Sequence, residues 1–217
     1  MLELGTKFLL AYFVGSIMGS LVVGYFRGGV DIRTMGSGNA GSTNALRTQG
    51  WFFALGVIAI DVGKGAAAAG FIPGLSLPYI AEDPYISRTW LMLCCAAASV
   101  IGHVWPIGQH FKGGKGAATL MGTLAVIAPI LIFPVLLVWA WFLVMFGYVG
   151  LATMAASVGV PIYLLITRFP EDQPLTIYAL VLAGFMVFSH RINIQRMRAG
   201  TEPRNTRLMI FRRSRSN

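Results

Sequence analysis

AATLMGTLAVIAPILIFPVLLVWAWFLVMFGYVGLATMAASVGVPIYLLIT, residues 117–167, runs for 51 residues without an Asp, Glu, Lys or Arg. A run this apolar belongs in hydrocarbon. There every backbone polar group must be satisfied within the segment, which for spans of this length means helix. The run has room for two spans of about 20 residues or three of about 17, and its flanking charges decide between them. Basic segments at 27–47, at 112–115 and after His190 are expected on the cytoplasmic side, where Lys and Arg accumulate. The connections carrying Glu82 with Asp83 and Glu171 with Asp172 then face outside. Passing from Lys115 inside to Glu171 outside takes an odd number of crossings, and one helix cannot absorb 51 residues that include Pro129 and Pro134. Three crossings follow. With spans near 8–26, 51–72, 89–107 and 175–189, the expectation is an all-α membrane protein: a seven-transmembrane-helix bundle, N-terminus outside and C-terminus cytoplasmic.

Composition agrees. The chain of 217 residues is 56% hydrophobic and 12% charged, with a mean hydropathy of +0.69, whereas soluble domains carry about 25% charged residues. That excludes a soluble globular domain and a disordered chain alike. The net charge is +9. Thirteen of the 17 Lys and Arg residues fall inside under the seven-span scheme, and only Lys7, Arg88 and Arg168 fall outside. Lys64 lies within the second span, three residues after Asp61, where the two can pair on one helix face. The run at 8–26 is longer than a signal peptide's apolar core and has no convincing cleavage site, so it reads as a retained helix. Cys94 and Cys95 are adjacent and read as buried apolar filler. The expected organisation is one seven-helix transmembrane domain over 1–190, with its site on the cytoplasmic face, and a basic cytoplasmic segment over 191–217. That last segment has eight arginines and one acid, Glu202, and suits anionic lipid headgroups better than nucleic acid.

Three polar segments emerge on the same side in this scheme. GSGNAGSTNALRTQG (36–50) packs Gly36, Gly38 and Gly41 among Ser37, Asn39, Ser42, Thr43 and Asn44, then adds Arg47. Its glycines allow close approach, and its amides, hydroxyls and backbone N–H groups suit anionic oxygen. The formal match to G-x-G-x-x-G is accidental, because no strand precedes it. GHVWPIGQHFKGGKGAAT (102–119) sets Lys112 and Lys115 around Gly113 and Gly114, with Gly116 opening an apolar helix. Ammonium charges and free N–H groups at a helix start point to an anion. It is not a Walker A loop, since Gly116 follows Lys115 and Gln109 holds the first glycine's place. SHRINIQRMRAGTEPR (189–204) places His190, Asn193 and Met197 on one face if the last helix continues.

Together these segments resemble one family, the bacterial membrane acyl-phosphate:glycerol-3-phosphate acyltransferases. The family's GSGNxGxTNxxR, GHxxPxxxxFKGGKGxAT and N-I-x-R-x-x-x-G-T-E patterns read here as residues 36–47, 102–119 and 193–202, and its D-x-x-K-G as Asp61, Lys64 and Gly65. Ser42, Trp105 and the arginines after Glu202 are less typical. The resemblance implies a multi-pass enzyme of the bacterial inner membrane, in phospholipid biosynthesis, with its site on the cytoplasmic side. It would move a fatty acyl group from acyl phosphate to the 1-hydroxyl of glycerol 3-phosphate, giving lysophosphatidic acid and phosphate. Catalytic positions carry over to Ser37, Arg47, Lys115, His190 and Asn193. Substrate-binding positions carry over to Asn39 and Asn44, joined by Gly36, Gly38, Lys112, Gly113, Gly114 and Gly116 of the glycine-rich segments; a small hydroxyl between the fifth and sixth helices corresponds to Thr153. No metal or cofactor is implied, and the partners are the two substrates and membrane lipids.

Acyl phosphate is a mixed anhydride with a good leaving group. Direct transfer therefore needs only an oriented alcohol and neutralisation of developing phosphate charge. A transporter of organic anions is the alternative class, but inverted repeats are lacking and the polar segments crowd one face. The H-x-x-x-x-D motif of soluble acyltransferases is missing: Gly108, Lys115 and Gln195 stand five residues after the three histidines.

Overall fold

The computed structural model describes residues 1–210. Arg212, Arg213 and Arg215 of the basic tail lie outside the described residues. The chain divides into two compact units, Met1–Pro129 and Ile130–Asn217. The first contains α1 (Leu2–Gly15), α2 (Gly19–Phe26), α3 (Ser42–Gln49), α4 (Trp51–Gly70), α5 (Arg88–Val104) and α6 (Ala117–Ile127). The second contains α7 (Ile132–Phe146), α8 (Val149–Thr167), α9 (Gln173–Ser189) and α10 (Arg191–Arg198).

The uncharged run 117–167 folds as three helices, α6, α7 and α8. Pro129 opens a 3₁₀ turn at Pro129–Leu131, and Pro134 sits in the first turn of α7, where a missing N–H costs nothing. Gly147, at φ +75°, ends α7 and donates its N–H to Leu143 O at 2.7 Å. Four helical runs are long and apolar enough to cross a bilayer: Trp51–Gly74, Arg88–Gln109, Pro129–Phe146 and Val149–Thr167. Two bent pairs, α1 with α2 (44°) and α9 with α10 (51°), raise the candidates to six. With 11 residues, α6 is a shorter apolar helix that falls outside these six candidates.

The first apolar run differs from the single span expected at 8–26. Its helix begins earlier, because Glu3 and Lys7 neutralise each other at 2.8 Å and are buried. Arg88 donates to both oxygens of Glu3 at 2.6 and 2.9 Å, and Lys7 donates to Pro73 O at 2.7 Å. The helix then breaks at Ser16–Met18, where the hydroxyl of Ser16 donates to Tyr12 O at 2.9 Å. On α4, Lys64 donates to Ile17 O within the break, and Asp61 accepts the N–H of Gly19 just past it at 3.3 Å. The expected Asp61–Lys64 pair is present at 2.9 Å, both side chains buried.

Close backbone crossings pack the first unit. A Cβ on Gly65 of α4 would lie 2.1 Å from Thr119 O of α6, and one on Gly122 of α6 would lie 2.0 Å from Val62 O of α4. The same reciprocity joins α1 and α5 through Gly15 against Ser99 O and Gly102 against Tyr12 O. Small residues at such crossings let helix backbones touch in lipid. Gly65→Ala is expected to force the α4–α6 crossing apart at a cost of about 1–3 kcal/mol. Thermal unfolding in detergent should show it, with Gly63→Ala, where nothing lies within 4 Å, leaving the transition unchanged.

Candidate active site

In the first unit, the segment 28–50 is shaped by one buried amide. Asn44, in the first turn of α3, donates from Nδ2 to Ile32 O (2.8 Å), Met35 O (3.0 Å) and Asn39 O (2.9 Å). Its Oδ1 accepts the N–H of Ser37 at 2.9 Å. Expected to bind substrate, Asn44 thus spends its amide on holding the loop. Gly36, at φ +56°, must be glycine, since a Cβ would lie 2.4 Å from Asn44 Oδ1. Asn39 accepts the N–H of Gly41 at 2.8 Å, a turn leading into α3. Arg47, in the last turn of α3, is exposed and has no polar partner among the described residues.

The second polar segment folds back on the end of α5. Gly113 N–H donates to Val104 O and Gly114 N–H to His103 O, both at 3.1 Å. These two N–H groups satisfy carbonyls left over at the end of α5. The donors that remain belong to the first turn of α6, which Gly116 starts at φ +89°. Lys112 is exposed and without a polar partner among the described residues, while Lys115 is half-buried. A clamp that the sequence reading missed joins the two segments. Arg33 pairs with Asp31 at 2.7 Å and donates to Gln109 Oε1 at 2.8 Å. Its guanidinium holds the Asp31 carboxyl below the usual carboxylate range, against a smaller opposing effect of burial. The D-x-R spacing was visible, but nothing in sequence pointed to Gln109.

In the second unit, the third segment does not continue α9. The chain bends 51° at His190, whose backbone N–H donates to Met186 O (3.1 Å) while Nδ1 lies 2.8 Å from the same oxygen. A carbonyl only accepts, so Nδ1 carries a proton, and in the neutral ring the lone pair is on Nε2. Asn193, buried on α10, donates to Glu202 Oε1 at 2.6 Å, and a Cβ on Gly150 of α8 would lie 3.0 Å from its amide nitrogen. Glu202, counted in sequence only as the tail's single acid, is the residue that orients Asn193. Thr153 donates to Val149 O (3.0 Å) and accepts from Trp139 Nε1 (3.2 Å). Part of the basic tail is bound to protein: Arg204 donates to Phe146 O at 2.8 Å and lies over Tyr148.

Helices at membrane length, interrupted by donor-rich polar segments, define a multi-pass membrane protein. The match is specific: residues 6–200 fit the glycerol-3-phosphate acyltransferase family, and the chain belongs to it. Relatives named glycerol-3-phosphate acyltransferase include one from Bacillus velezensis, 40% identical over 196 residues (90% of this chain, 94% of the relative). One from Chlorobium phaeovibrioides is 35% identical over 233 residues (95% and 98%). The fold is similar to crystal structures of PlsY, an integral membrane glycerol 3-phosphate acyltransferase, in its glycerol 3-phosphate and lysophosphatidic acid forms. Both have a TM-score of 0.76 at 30% identity, covering 93% of this chain and 94% of that chain.

Asn44→Ala strands three carbonyls and an N–H, at about 1–3 kcal/mol for each buried group left unsatisfied. Tryptic cleavage after Arg33 and Arg47 is expected to accelerate, whereas Asn39→Ala, which opens only the turn to Gly41, should leave the cleavage rate close to that of the parent.

Proposed function

We propose that the protein transfers a fatty acyl group from acyl phosphate to the 1-hydroxyl of glycerol 3-phosphate, releasing lysophosphatidic acid and phosphate. The observation that carries this reading is the Arg33–Gln109 bond, which ties the segment bearing the unpaired Arg47 to the loop bearing the unpaired Lys112. In a chain of this family, two phosphate-bearing substrates are the natural occupants of such a basic region. Arg47 grips one phosphate with two parallel bonds, and Lys115 supplies a movable point charge. Lys112 and the first-turn N–H groups of α6 support it, with Gly113, Gly114 and Gly116 shaping the loop. Ser37 and Asn39, with the backbone of Gly36 and Gly38, meet the acyl phosphate. Lys115, with its loop on the phosphate, His190 and Asn193 hold glycerol 3-phosphate, and Thr153 is a further substrate-binding position.

The 1-hydroxyl oxygen attacks the acyl carbonyl carbon and the carbonyl–phosphate bond breaks. The hydroxyl proton passes to an oxygen of the departing phosphate, so no acyl-enzyme forms. The His190 lone pair on Nε2 accepts a hydrogen bond from the alcohol and orients it.

The reading places seven crossings in the membrane, with α1 and α2 as one broken span, then α4, α5, α7, α8 and α9, and with the 11-residue α6 and the apolar chain that follows it to Leu131 as a short crossing. The N-terminus lies outside, and the polar segments and the basic segment from 191 face the cytoplasm at the inner membrane. Three helices in 117–167 and the acidic connection at Glu171 and Asp172 support that count.

Purified full-length protein given palmitoyl phosphate and glycerol 3-phosphate is expected to release phosphate and lysophosphatidic acid in equal amounts. A folded protein with no glycerol 3-phosphate-dependent phosphate release overturns the reading. Arg47→Ala is expected to lower kcat/KM by about 100-fold or more, the size of a lost charge-assisted contact to transition-state charge. His190→Gln is expected to keep most of kcat while raising the KM for glycerol 3-phosphate. A collapse of its kcat instead would assign the proton to histidine.

A further inference from the structure

Three buried polar residues of the first unit lie outside the machinery assigned above: Asp61 and Lys64 of α4 and His103 of α5. An ammonium has three protons to donate, and Lys64 has three acceptors: Asp61 Oδ1 at 2.9 Å, Ile17 O and His103 Nδ1 at 2.8 Å. Because lysine only donates, Nδ1 of His103 accepts, and the ring carries its proton on Nε2. That opposite edge of the ring faces the glycine loop. A Cβ on Gly114 would fall 2.1 Å from His103 Nε2. The backbone of the same histidine grips the loop too, since Gly114 N–H donates to its carbonyl at 3.1 Å.

We propose that Asp61, Lys64 and His103 form a buried positioning unit that fixes the loop at residues 112–116 and thereby sets the affinity for glycerol 3-phosphate. The proposal rests on the assignment of that loop to this substrate's phosphate. The three act through the loop rather than on the reacting atoms. The ion pair is anchored by the helix break, where Asp61 accepts the N–H of Gly19 and Lys64 donates to Ile17 O. His103 carries that fixed point across to Gly114. A ring that turned would either lose Lys64 or press on the loop, so the loop's conformation is tied to a pair buried within the helices.

Two conservative variants separate the two edges of the ring. His103→Asn keeps an acceptor where Nδ1 lies and removes the atoms that reach Gly114. His103→Gln keeps a donor where Nε2 lies and removes the acceptor facing Lys64. With palmitoyl phosphate and glycerol 3-phosphate as substrates, His103→Asn is expected to raise the KM for glycerol 3-phosphate by about 10-fold, with kcat within about 3-fold of the parent and melting temperature in detergent little changed. His103→Gln, which cuts the link to Lys64 and leaves the loop-facing end unanchored, is expected to raise the KM for glycerol 3-phosphate as well, by a smaller factor, and to lower the melting temperature. A merely structural histidine would lower melting temperature and kcat alike in both variants, and that result, or an unchanged KM in His103→Asn, overturns the proposal. If His103→Asn does not fold, Gly114→Ala carries the test, because it presses the loop off the ring while leaving Lys64 paired. An unchanged KM there overturns the proposal equally. Lys115→Met tests the underlying assignment separately. If it leaves the KM for glycerol 3-phosphate unchanged, the loop is not the phosphate site. If it raises that KM while His103→Asn does not, only the positioning unit falls.

Discussion

A helix that breaks among apolar neighbours strands a carbonyl on one side and an N–H on the other, and neither can turn to water. In the first unit Lys64 takes the carbonyl of Ile17 and Asp61 takes the N–H of Gly19. The break lets the chain turn through 44° between α1 and α2 and then enter the polar segment that begins at Arg27. A buried ion pair is weak evidence for stability in itself, since desolvation opposes its attraction. Here its justification is geometric: it satisfies a break that two apolar residues would leave open, and its third donor reaches His103 on α5.

The two polar segments of the first unit rest on that frame in different ways. The loop at 112–116 is bound back onto α5 through Gly113 and Gly114, so its glycines are needed for contact and its N–H groups are consumed. The segment at 28–50 is organised from inside by Asn44, and the Asp31–Arg33 pair fastens it to Gln109. Buried amides and backbone bonds do the shaping, which leaves the side chains of Arg47 and Lys112 exposed for ligands. In the second unit the same economy recurs, with Glu202 holding Asn193 and Met186 O fixing the tautomer of His190.

Helices of 15 to 20 residues were legible in the sequence because apolar length and the absence of charge define them almost alone. The expected segments at 51–72, 89–107 and 175–189 correspond to α4, α5 and α9 within a few residues, and Pro129 and Pro134 marked the boundary between α6 and α7. The break at Ser16–Met18 was not legible, since its cause lies on α4, more than 40 residues away. Nor was the true start of α1 at Leu2, because Glu3 and Lys7 look like charges bound for water until Arg88 and Pro73 O supply partners. The polar segments showed which residue types converge but not how each is used. Donor-rich composition reads alike whether an N–H meets an anion or, as at Gly113 and Gly114, the end of a neighbouring helix.

The excess of positive charge divides on the same principle. Lys7, Arg33, Lys64 and Arg88 each face a carboxylate within 2.9 Å, and Arg168 lies 3.7 Å from Asp172. These cations are spent on structure. Arg204 donates to the Phe146 carbonyl at the end of α7, and Arg191 stacks on Phe188 with 4.5 Å to the ring centroid. What remains exposed and unpaired among the described residues of the polar segments is Arg27, Arg47, Lys112 and Arg198. Net charge alone pointed equally to orientation, lipid contact and substrate. Removing the cations that already have partners leaves a small set, and two of its four members, Arg47 and Lys112, sit on the segments that Arg33 and Gln109 join. With Asp31 already held by Arg33, neither of those two segments supplies a carboxylate partner for Arg47 or Lys112.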